Sequence, residues 1–408
     1  MKQRRALGSG SLYQDKRGLW RGAFNAGYTK HGTRQRIVVS SRSYTEARQK
    51  LQAAMAAYTT GKLKPGRSPT IKTIAEAWIK TRAKRVRPAT LAIENAAIDQ
   101  YIIPLLGTKQ LTKLTPSDVR QIGDQVLEDG RSGATASRYQ SVFLRMLREA
   151  EADGLPVPRL IFTVEKTRVP KGKREAISNT DALKLIEVAS RAPAGVRWLL
   201  ALMQGLRQGE ALGLTWDAIN LEEGTLQIEW QLQELRYKNP DDHAAGFRMP
   251  LQYEARQLAG GFHLVRPKSE AGRRVIPLTP WVAAALTRYK EAWEQNRWGL
   301  LFTHAGKPVS KHRDTAAWKA LQDTAGVTKT GGGHYVLHEA RHTCATLLLA
   351  AGISPEIIKA IMGHSDIVTQ AGYQHVSKTM ARDALQDAER FLGIEYKDKD
   401  GQTRDAHD

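Results

Sequence analysis

Short apolar segments, separated by glycine and polar residues, open the chain. β-Prone stretches lie at 11–13, 19–24 and 34–39, and the residues between them suit turns. An apolar pattern with helical spacing follows at about 44–59. The pattern predicts a small domain at 1–64, in which three β-strands pack with one helix.

The pattern changes to purely helical spacing after a polar linker that contains glycine and proline. A helical domain is predicted at 70–155, with helices at about 72–84, 89–104, 116–129 and 134–152. Thr115 and Pro116 form a typical helix start, with proline at the first helical position.

A basic connector that contains proline, at 156–176, precedes a longer mixed segment at 177–392. This segment is mostly helical, with strand signals at 225–230 and 273–278. The polar residues 393–408 are predicted to be disordered. The predicted fold class is therefore multidomain and mostly α, with a domain of three-stranded sheet plus helix, an all-helical domain and a mixed α/β domain.

Composition narrows the class of protein. With 408 residues, 41% of them hydrophobic, the chain has room for two or three domains with real cores. No apolar run approaches the ~20 residues that span a membrane, and the basic residues 1–8 lack the apolar stretch of a secretory signal. The single cysteine, Cys344, excludes an internal disulfide and fits a reducing cytosol.

The net charge of +21 is concentrated on the N-terminal side. Residues 1–67 carry +13 and residues 68–175 carry +7, whereas residues 176–408 carry only +1. A positive field of this size favours an acidic polymer as partner, nucleic acid above all. Anionic lipid is the alternative, but no basic amphipathic anchor helix is visible, so no membrane partner is expected.

The second half of the chain holds, in order, residues suited to chemistry at a phosphodiester. They are Arg207, Lys268, His338, Arg341, His364 and Tyr373. Cleavage builds negative charge on a five-coordinate phosphorus, and the planar fork of arginine matches two phosphate oxygens without losing its proton. Two arginines could therefore replace the metal ions that many nucleases need, and neither a metal nor another cofactor is expected.

The tyrosine would act as the nucleophile. A free phenol titrates near ~10, so its deprotonation needs a base or a cationic pocket. His338 is the candidate general base. Lys268, in a segment predicted to form a β-hairpin turn, is the candidate general acid for the leaving 5′ oxygen. His364 would bind a non-bridging oxygen from the end of a short helix that starts after Ser354 and ends before Gly363.

One motif has a second interpretation. His338, Glu339 and His342 match the H-E-x-x-H pattern of zinc proteases. A zinc site needs a third ligand, and the extended pattern fails because Ala345 and Leu348 stand at its glycine and histidine positions. This interpretation also leaves the basic N-terminal residues without a role.

The ordered set resembles the tyrosine recombinases, the integrases of phages and mobile elements. The resemblance implies that the six residues take the six catalytic roles of the family and that Glu210 supports the first arginine. It also implies a 3′-phosphotyrosyl intermediate and a homotetramer on double-stranded DNA, in the cytoplasm of a bacterial host and associated with its nucleoid. The amphipathic segment 377–392 could pack on the core of its own chain, but the resemblance favours docking on a neighbouring subunit.

The same resemblance assigns the two N-terminal domains to DNA binding, at arm sites and at the core site. The candidate contacts are Trp20, Arg21, Arg34, Arg36, Lys84, Arg85, Lys171, Lys173 and Arg174. A host DNA-bending protein and an excisionase would be further partners.

Two features depart from the family pattern. The segment 236–261 is longer than usual between the first arginine and the lysine, and Gln370 stands where threonine is expected. Three alternatives stay open: a type IB topoisomerase with a similar residue set, a chromosome-dimer resolvase, which would lack residues 1–67, and a binding module with an inactive site. The basic N-terminal domain favours an integrase, because it offers a second DNA-binding site.

Overall fold

The computed structural model describes residues 10–28, 34–59, 68–169, 176–363 and 377–394. The chain divides into two compact units, residues 1–171 and, apart from the short segment 249–251, residues 172–408. Among the described residues, no helix is long and apolar enough to cross a bilayer.

Three antiparallel strands form the N-terminal sheet, in the order β1 (Ser11–Gln14), β2 (Trp20–Tyr28) and β3 (Arg34–Ser41). One face packs on α1 (Tyr44–Thr59), where Phe24 and Leu51 are buried. Gly22 allows this close approach, since a Cβ there would lie 2.9 Å from the Cβ of Leu51. The predicted three strands and helix are confirmed.

The elements that follow are all helical. They are α2 (Ile71–Arg82), α3 (Pro88–Ala97), α4 (Ile103–Leu106), α5 (Pro116–Glu128) and α6 (Gly133–Ala152). The predicted helices are confirmed, and Thr115 caps α5 as expected. The second predicted helix is composite, because a π-helical turn at Ile98–Ile102 joins α3 to α4. Pro104 has no N–H to continue the α-helical hydrogen bonds there, and the wider turn precedes it.

Helices form most of the C-terminal unit. They are α7 (Asn179–Arg191), α8 (Val196–Leu202), α9 (Gln208–Leu212), α10 (Pro280–Glu291), α11 (Lys311–Thr324), α12 (Leu337–Ala350), α13 (Pro355–Met362) and α14 (Lys378–Phe391). One apolar cluster, in which Leu200, Trp318 and Leu348 are fully buried, holds these helices together. The core fixes the ends of α8, α12 and α13, next to which the candidate site residues lie.

The strands of this unit form three small antiparallel sheets. β4 (Ile219–Asn220), β5 (Thr225–Ile228) and β9 (Arg274–Pro277) are ordered β4-β5-β9, and β6 (Gln231–Glu234), β7 (Ala255–Ala259) and β8 (Phe262–Val265) are ordered β6-β8-β7. β10 (Thr303–His304) pairs with β11 (Lys307–Pro308). The strand signals at 225–230 and 273–278 are confirmed, and the long segment 236–261 contributes β7 to the second sheet.

The β-hairpin predicted around Lys268 is wrong. The residues that contain it, 266–273 (the Lys268 loop), connect β8 to β9, and these strands belong to different sheets. Both edges of β8 are taken by β6 and β7, while β9 pairs with β5. No edge of β8 is left for β9, so the Lys268 loop crosses between sheets and includes a 3₁₀ turn at Glu270–Gly272.

For residues 377–392, which contain α14, the single chain shows packing on its own core, whereas docking on a neighbouring subunit stays a prediction. α14 packs in cis, and its apolar stripe lies in the core of its own unit through Ala381, Ala384, Leu385, Ala388 and Leu392. Met380 and Phe391, which the pattern placed on the same stripe, are exposed instead. The helix therefore anchors the chain directly after the segment that carries Tyr373.

Replacing Glu389 of α14 with glutamine is expected to stabilise the protein at alkaline pH. The buried carboxyl accepts a hydrogen bond from Thr279. Burial raises the pKa of Glu389 from 4.5 to about 7, and this hydrogen bond opposes the shift only in part. A raised carboxyl pKa costs nothing below pH 4.5 and destabilises the fold as the pH rises through 7. The variant should gain up to about 3 kcal/mol at alkaline pH and nothing near pH ~4.

Denaturant unfolding across the pH range measures this difference. Glu294→Gln, which removes an exposed carboxylate, is the matched control and should leave the pH profile unchanged. A Glu389→Gln protein no more stable than its parent at alkaline pH would contradict the assigned environment.

Candidate active site

Arg207 is held at a sharp bend between α8 and α9. Gly205, with φ of +64°, makes the bend, and a Cβ there would lie 2.5 Å from the sulfur of Met362. Arg207 is the N-cap of α9, and its backbone N–H donates to Glu210 Oε2 at 2.9 Å. Its guanidinium donates to Glu210 Oε1 at 2.6 Å and to the carbonyl oxygen of Gly363 at 3.0 Å. The side chain stays 36% exposed, so one side remains open to a ligand.

Glu210 is the only carboxylate among the described residues that contacts the guanidinium groups of Arg207, Arg274 and Arg341. It is 2% exposed and accepts hydrogen bonds from both Arg207 and Arg274. Burial alone would raise the pKa of Glu210, but the neighbouring Arg274 and Arg207 outweigh burial and lower it to about 2. The carboxylate is therefore ionised at neutral pH and fixes the orientation of both arginines.

Arg274 is a third arginine of the site, which the sequence analysis did not select. Its side chain is 7% exposed and donates to Glu210 at 3.0 Å, to the Ile361 carbonyl at 2.8 Å and to the Gly272 carbonyl at 3.1 Å. One guanidinium thus joins α9, α13 and the Lys268 loop. Strand alternation puts Arg273 and Arg274 on opposite faces, but two adjacent arginines give no signal of which one faces inward.

Arg341 completes the cluster from α12. Its buried guanidinium donates to the carbonyls of Gly205 and Met362, and its Nη1 lies 3.9 Å from Glu210 Oε2. Burial, together with the positive charges of Arg207 and Arg274, lowers the pKa of Arg341 to about 9. Three guanidinium groups share one carboxylate in a desolvated position, which leaves an excess of positive charge suited to an anion.

The Lys268 loop and the end of α13 lie against this cluster. Gly363 has φ of +62°, and a Cβ there would lie 2.6 Å from the carbonyl oxygen of Ala271. The short helix predicted between Ser354 and Gly363 is confirmed. Lys268 is exposed, and its ammonium donates no hydrogen bond and forms no ion pair among the residues that the structure describes.

Of the remaining candidates, only His338 lies within the described residues. His338 is exposed at the second position of α12. His364 and Tyr373 lie outside the described residues, as does Gln370. The structure therefore brings together Arg207, Glu210 and Arg341, with the Lys268 loop beside them.

The H-E-x-x-H motif is built into a helix start. Glu339 is buried, accepts the backbone N–H of Val336 at 2.8 Å and pairs with Lys329 at 2.5 Å. Both histidines, His338 and His342, are exposed. Within the described part of the chain, no three His, Cys, Asp or Glu side chains lie close enough to hold a metal ion. Glu339 thus acts as a capping residue.

The candidate DNA contacts of the helical domain are well exposed. Lys84 and Arg85 lie in the turn between α2 and α3. The neighbouring Arg82 points elsewhere, since it pairs with the buried Glu94 at 2.7 Å. Because neither cation has an ion-pair partner in the part of the chain that the structure describes, this turn presents two positive charges to a ligand.

The candidates of the N-terminal sheet are less uniform. Arg21 pairs with Asp15 at 2.7 Å, and Arg36 is exposed. Trp20 is half-buried in an edge-to-face contact with Tyr44, 4.9 Å between ring centroids, so its ring serves the packing of α1 on the sheet. The side chain of Arg34, and all of Lys171, Lys173 and Arg174, lie outside the described residues.

Comparison with known proteins shows similarity over most of the chain. The model of the phage integrase family matches residues 175–380, and that of the N-terminal SAM-like domain of phage integrases matches residues 70–124. An integrase of Saccharopolyspora erythraea is 25% identical, over 94% of this chain and 97% of its own.

Solved structures share the fold. The Tn1549 transposon integrase in complex with transposon right-end DNA aligns with 78% of this chain and 98% of its own, with a TM-score of 0.60 and 19% identity. A lambda integrase tetramer bound to a Holliday junction aligns with 87% of this chain and 95% of its own, with a TM-score of 0.53 and 16% identity. The predicted multidomain fold class is confirmed.

Removing the charge of Glu210 is expected to destabilise the protein strongly at neutral pH. Glu210→Gln leaves the buried guanidinium groups of Arg274 and Arg341, and the partly exposed one of Arg207, without a counter-charge, which should cost about 3 kcal/mol of unfolding free energy. Because the pKa of Glu210 is lowered from 4.5 to about 2, its contribution is complete above pH 4.5 and is lost as the pH falls through 2.

Unfolding of the variant and its parent should therefore converge in acid and diverge at neutral pH. Glu222→Gln, on an exposed turn, provides a control that should match the parent at every pH. A loss below about 1 kcal/mol at neutral pH would mean that Glu210 does not balance the cluster.

Proposed function

Because this chain belongs to the phage integrase family, and is a site-specific tyrosine recombinase that cleaves and rejoins DNA, we propose that its arginine cluster binds the scissile phosphate and that Tyr373 attacks it. The observation that carries the proposal is the excess of positive charge around Glu210. Arg207, Arg274 and Arg341 share that carboxylate, and Arg207 keeps an open side. A pentacovalent phosphate would supply the missing negative charge.

The reaction follows from the chemistry of these groups. The phenolic oxygen of Tyr373 bonds to phosphorus while the bond from phosphorus to the 5′ oxygen breaks, which leaves a 3′-phosphotyrosyl link. His338 accepts the phenolic proton, and the Lys268 ammonium donates a proton to the leaving 5′ oxygen. His364 donates to a non-bridging oxygen. The energy of the bond is kept in the link, so a 5′ hydroxyl of the partner strand reverses the attack without a nucleotide or a metal.

The upstream residues would hold the DNA. Residues 1–64 form an arm-site-binding domain, residues 70–155 a core-site-binding domain and residues 156–176 a basic linker, ahead of the catalytic domain at 177–392. The exposed cations Lys84 and Arg85 support core-site binding, because phosphate contacts supply most of the affinity for duplex DNA.

Strand exchange between two duplexes requires four cleavages, so the active species would be a homotetramer on DNA. The tetramer that lambda integrase forms on a Holliday junction supports this assembly. A host DNA-bending protein and an excisionase would set the direction of the reaction, which takes place on nucleoid DNA in the bacterial cytoplasm.

Tyr373→Phe is expected to abolish the covalent protein–DNA adduct and to keep the affinity for duplex DNA, because only the attacking oxygen is removed. A denaturing gel with end-labelled core-site DNA measures the adduct, and gel shift measures binding. Tyr396→Phe changes the other tyrosine near the C-terminus and should still form the adduct. An adduct formed by Tyr373→Phe, or strand breaks with a free 3′ end, would refute the proposal.

Lys84→Ala combined with Arg85→Ala is expected to weaken core-site binding regardless of sequence. Loss of two phosphate contacts should reduce the slope of log affinity against log salt by about 1.8. The control is Lys184→Ala with Arg191→Ala, since those cations pair with Asp181 and Glu187 on α7. An unchanged salt slope would place the DNA elsewhere.

A further inference from the structure

No strand pairing holds the two ends of the Lys268 loop together. A β-hairpin would hold its ends by hydrogen bonds between paired strands, but β8 and β9 lie in different sheets. Lys268 itself is exposed on this loop. Another contact must fix the distance between the two ends of the loop.

Glu229 supplies that contact. It follows β5, whose last residue, Ile228, pairs with Arg274 of β9. Its carboxylate accepts a hydrogen bond from Nη1 of Arg266, the first residue of the loop. The same carboxylate accepts Nε of Arg273, the last residue of the loop, at 3.1 Å and its Nη2 at 3.4 Å. One carboxylate therefore ties together both ends of the loop.

Further contacts hold each end of the Lys268 loop in place. The guanidinium of Arg266 lies 3.8 Å from the ring centroid of Trp230 and pairs with Glu254 at 3.0 Å. At the other end of the loop, Arg274 holds the Gly272 carbonyl and Glu210 together. The loop is thereby attached to the sheet β6-β8-β7 on one side and to the arginine cluster on the other.

We propose that Glu229 is a positioning residue, which clasps the Lys268 loop through Arg266 and Arg273 so that the Lys268 ammonium reaches the leaving 5′ oxygen. This proposal rests on the acid role of Lys268 in the proposed function. Lysine carries its charge on a flexible four-carbon stem, so the placement of its backbone decides how often the ammonium comes within hydrogen-bond reach. Proton transfer requires that reach.

A leaving-group substitution tests the clasp. In ordinary DNA, the bond from phosphorus to the 5′ oxygen breaks and the oxygen takes a proton from Lys268. When sulfur replaces that bridging oxygen, the same bond from phosphorus breaks, but the thiolate leaves without a proton because its conjugate thiol is far more acidic than an alcohol. A defect confined to the acid step is therefore rescued by sulfur, whereas a folding or phosphate-binding defect is not.

Single-turnover cleavage is compared on oxygen-bridged and sulfur-bridged core-site duplexes, with the full-length protein. Glu229→Gln and Arg273→Gln should each slow cleavage of the oxygen substrate by about tenfold or more, as expected for a damaged general acid. Both should cleave the sulfur substrate within about twofold of the parent rate. Lys268→Ala gives the reference for complete loss of the acid.

Glu270→Gln is the matched control, because it removes an exposed carboxylate within the same loop that is not part of the clasp. It should cleave both substrates as the parent does. Thermal unfolding of Glu229→Gln and Arg273→Gln should stay close to the parent, since both side chains are partly exposed.

Two outcomes would overturn the proposal while leaving the proposed function intact. One is an oxygen-substrate rate unchanged in Glu229→Gln when Lys268→Ala is slow and rescued by sulfur. The other is a Glu229→Gln defect of equal size on both substrates. If sulfur does not rescue Lys268→Ala, the acid role of Lys268 fails, and the clasp proposal fails with it.

Discussion

A single buried carboxylate organises the site of this protein. Glu210, at the first turn of α9, accepts hydrogen bonds from Arg207 and Arg274 and lies 3.9 Å from Arg341. A carboxylate in such a place would be neutral without its partners, and the arginines would repel one another without it. The balance is incomplete, with three cations to one anion, and in the proposed function this excess of positive charge is what binds the scissile phosphate.

Backbone carbonyls complete what Glu210 begins. The carbonyls of Gly205, Met362 and Gly363 accept from the arginines, and two of these residues are glycines with positive φ at points of close packing. Substitution at Gly205 or Gly363 would push apart the segments that carry the cluster. The arginines are therefore fixed before DNA arrives, and little reorganisation is needed as charge develops in the transition state.

Much of this could be read from the sequence because local signals agree with the fold. The helix starts at Thr115 and Ser354 carry their own caps, and the β-prone segments of the N-terminal sheet are separated by glycine and polar residues that suit turns. Arg207 and Arg341 could be selected because arginine suits phosphate chemistry, and Glu210 because the resemblance to the tyrosine recombinases assigns it the support of the first arginine. The error concerns long-range pairing: β9 pairs with β5 and not with β8, the strand that precedes it in the chain.

Arg274 and Glu229 could not be selected from the sequence, for the same reason. Each is an ordinary charged residue, and its role comes from partners that are distant in the chain, such as Glu210 for Arg274 and Arg266 for Glu229. The chain between β5 and β9 forms a separate sheet, β6-β8-β7, so such contacts hold the Lys268 loop in place of strand pairing. No spacing rule connects these residues, and only the folded chain brings them together.

The central claim is that the cluster acts on the negative charge of the scissile phosphate. Replacing a non-bridging oxygen of that phosphate with a methyl group removes the charge, and the direct measurement is the cleavage rate of this neutral substrate by Arg207→Ala and by the parent protein. The account predicts that Arg207→Ala is severely slowed on ordinary DNA and approaches the parent rate on the neutral substrate. An equally severe defect on both substrates would contradict it, because Arg207 would then serve something other than the phosphate charge.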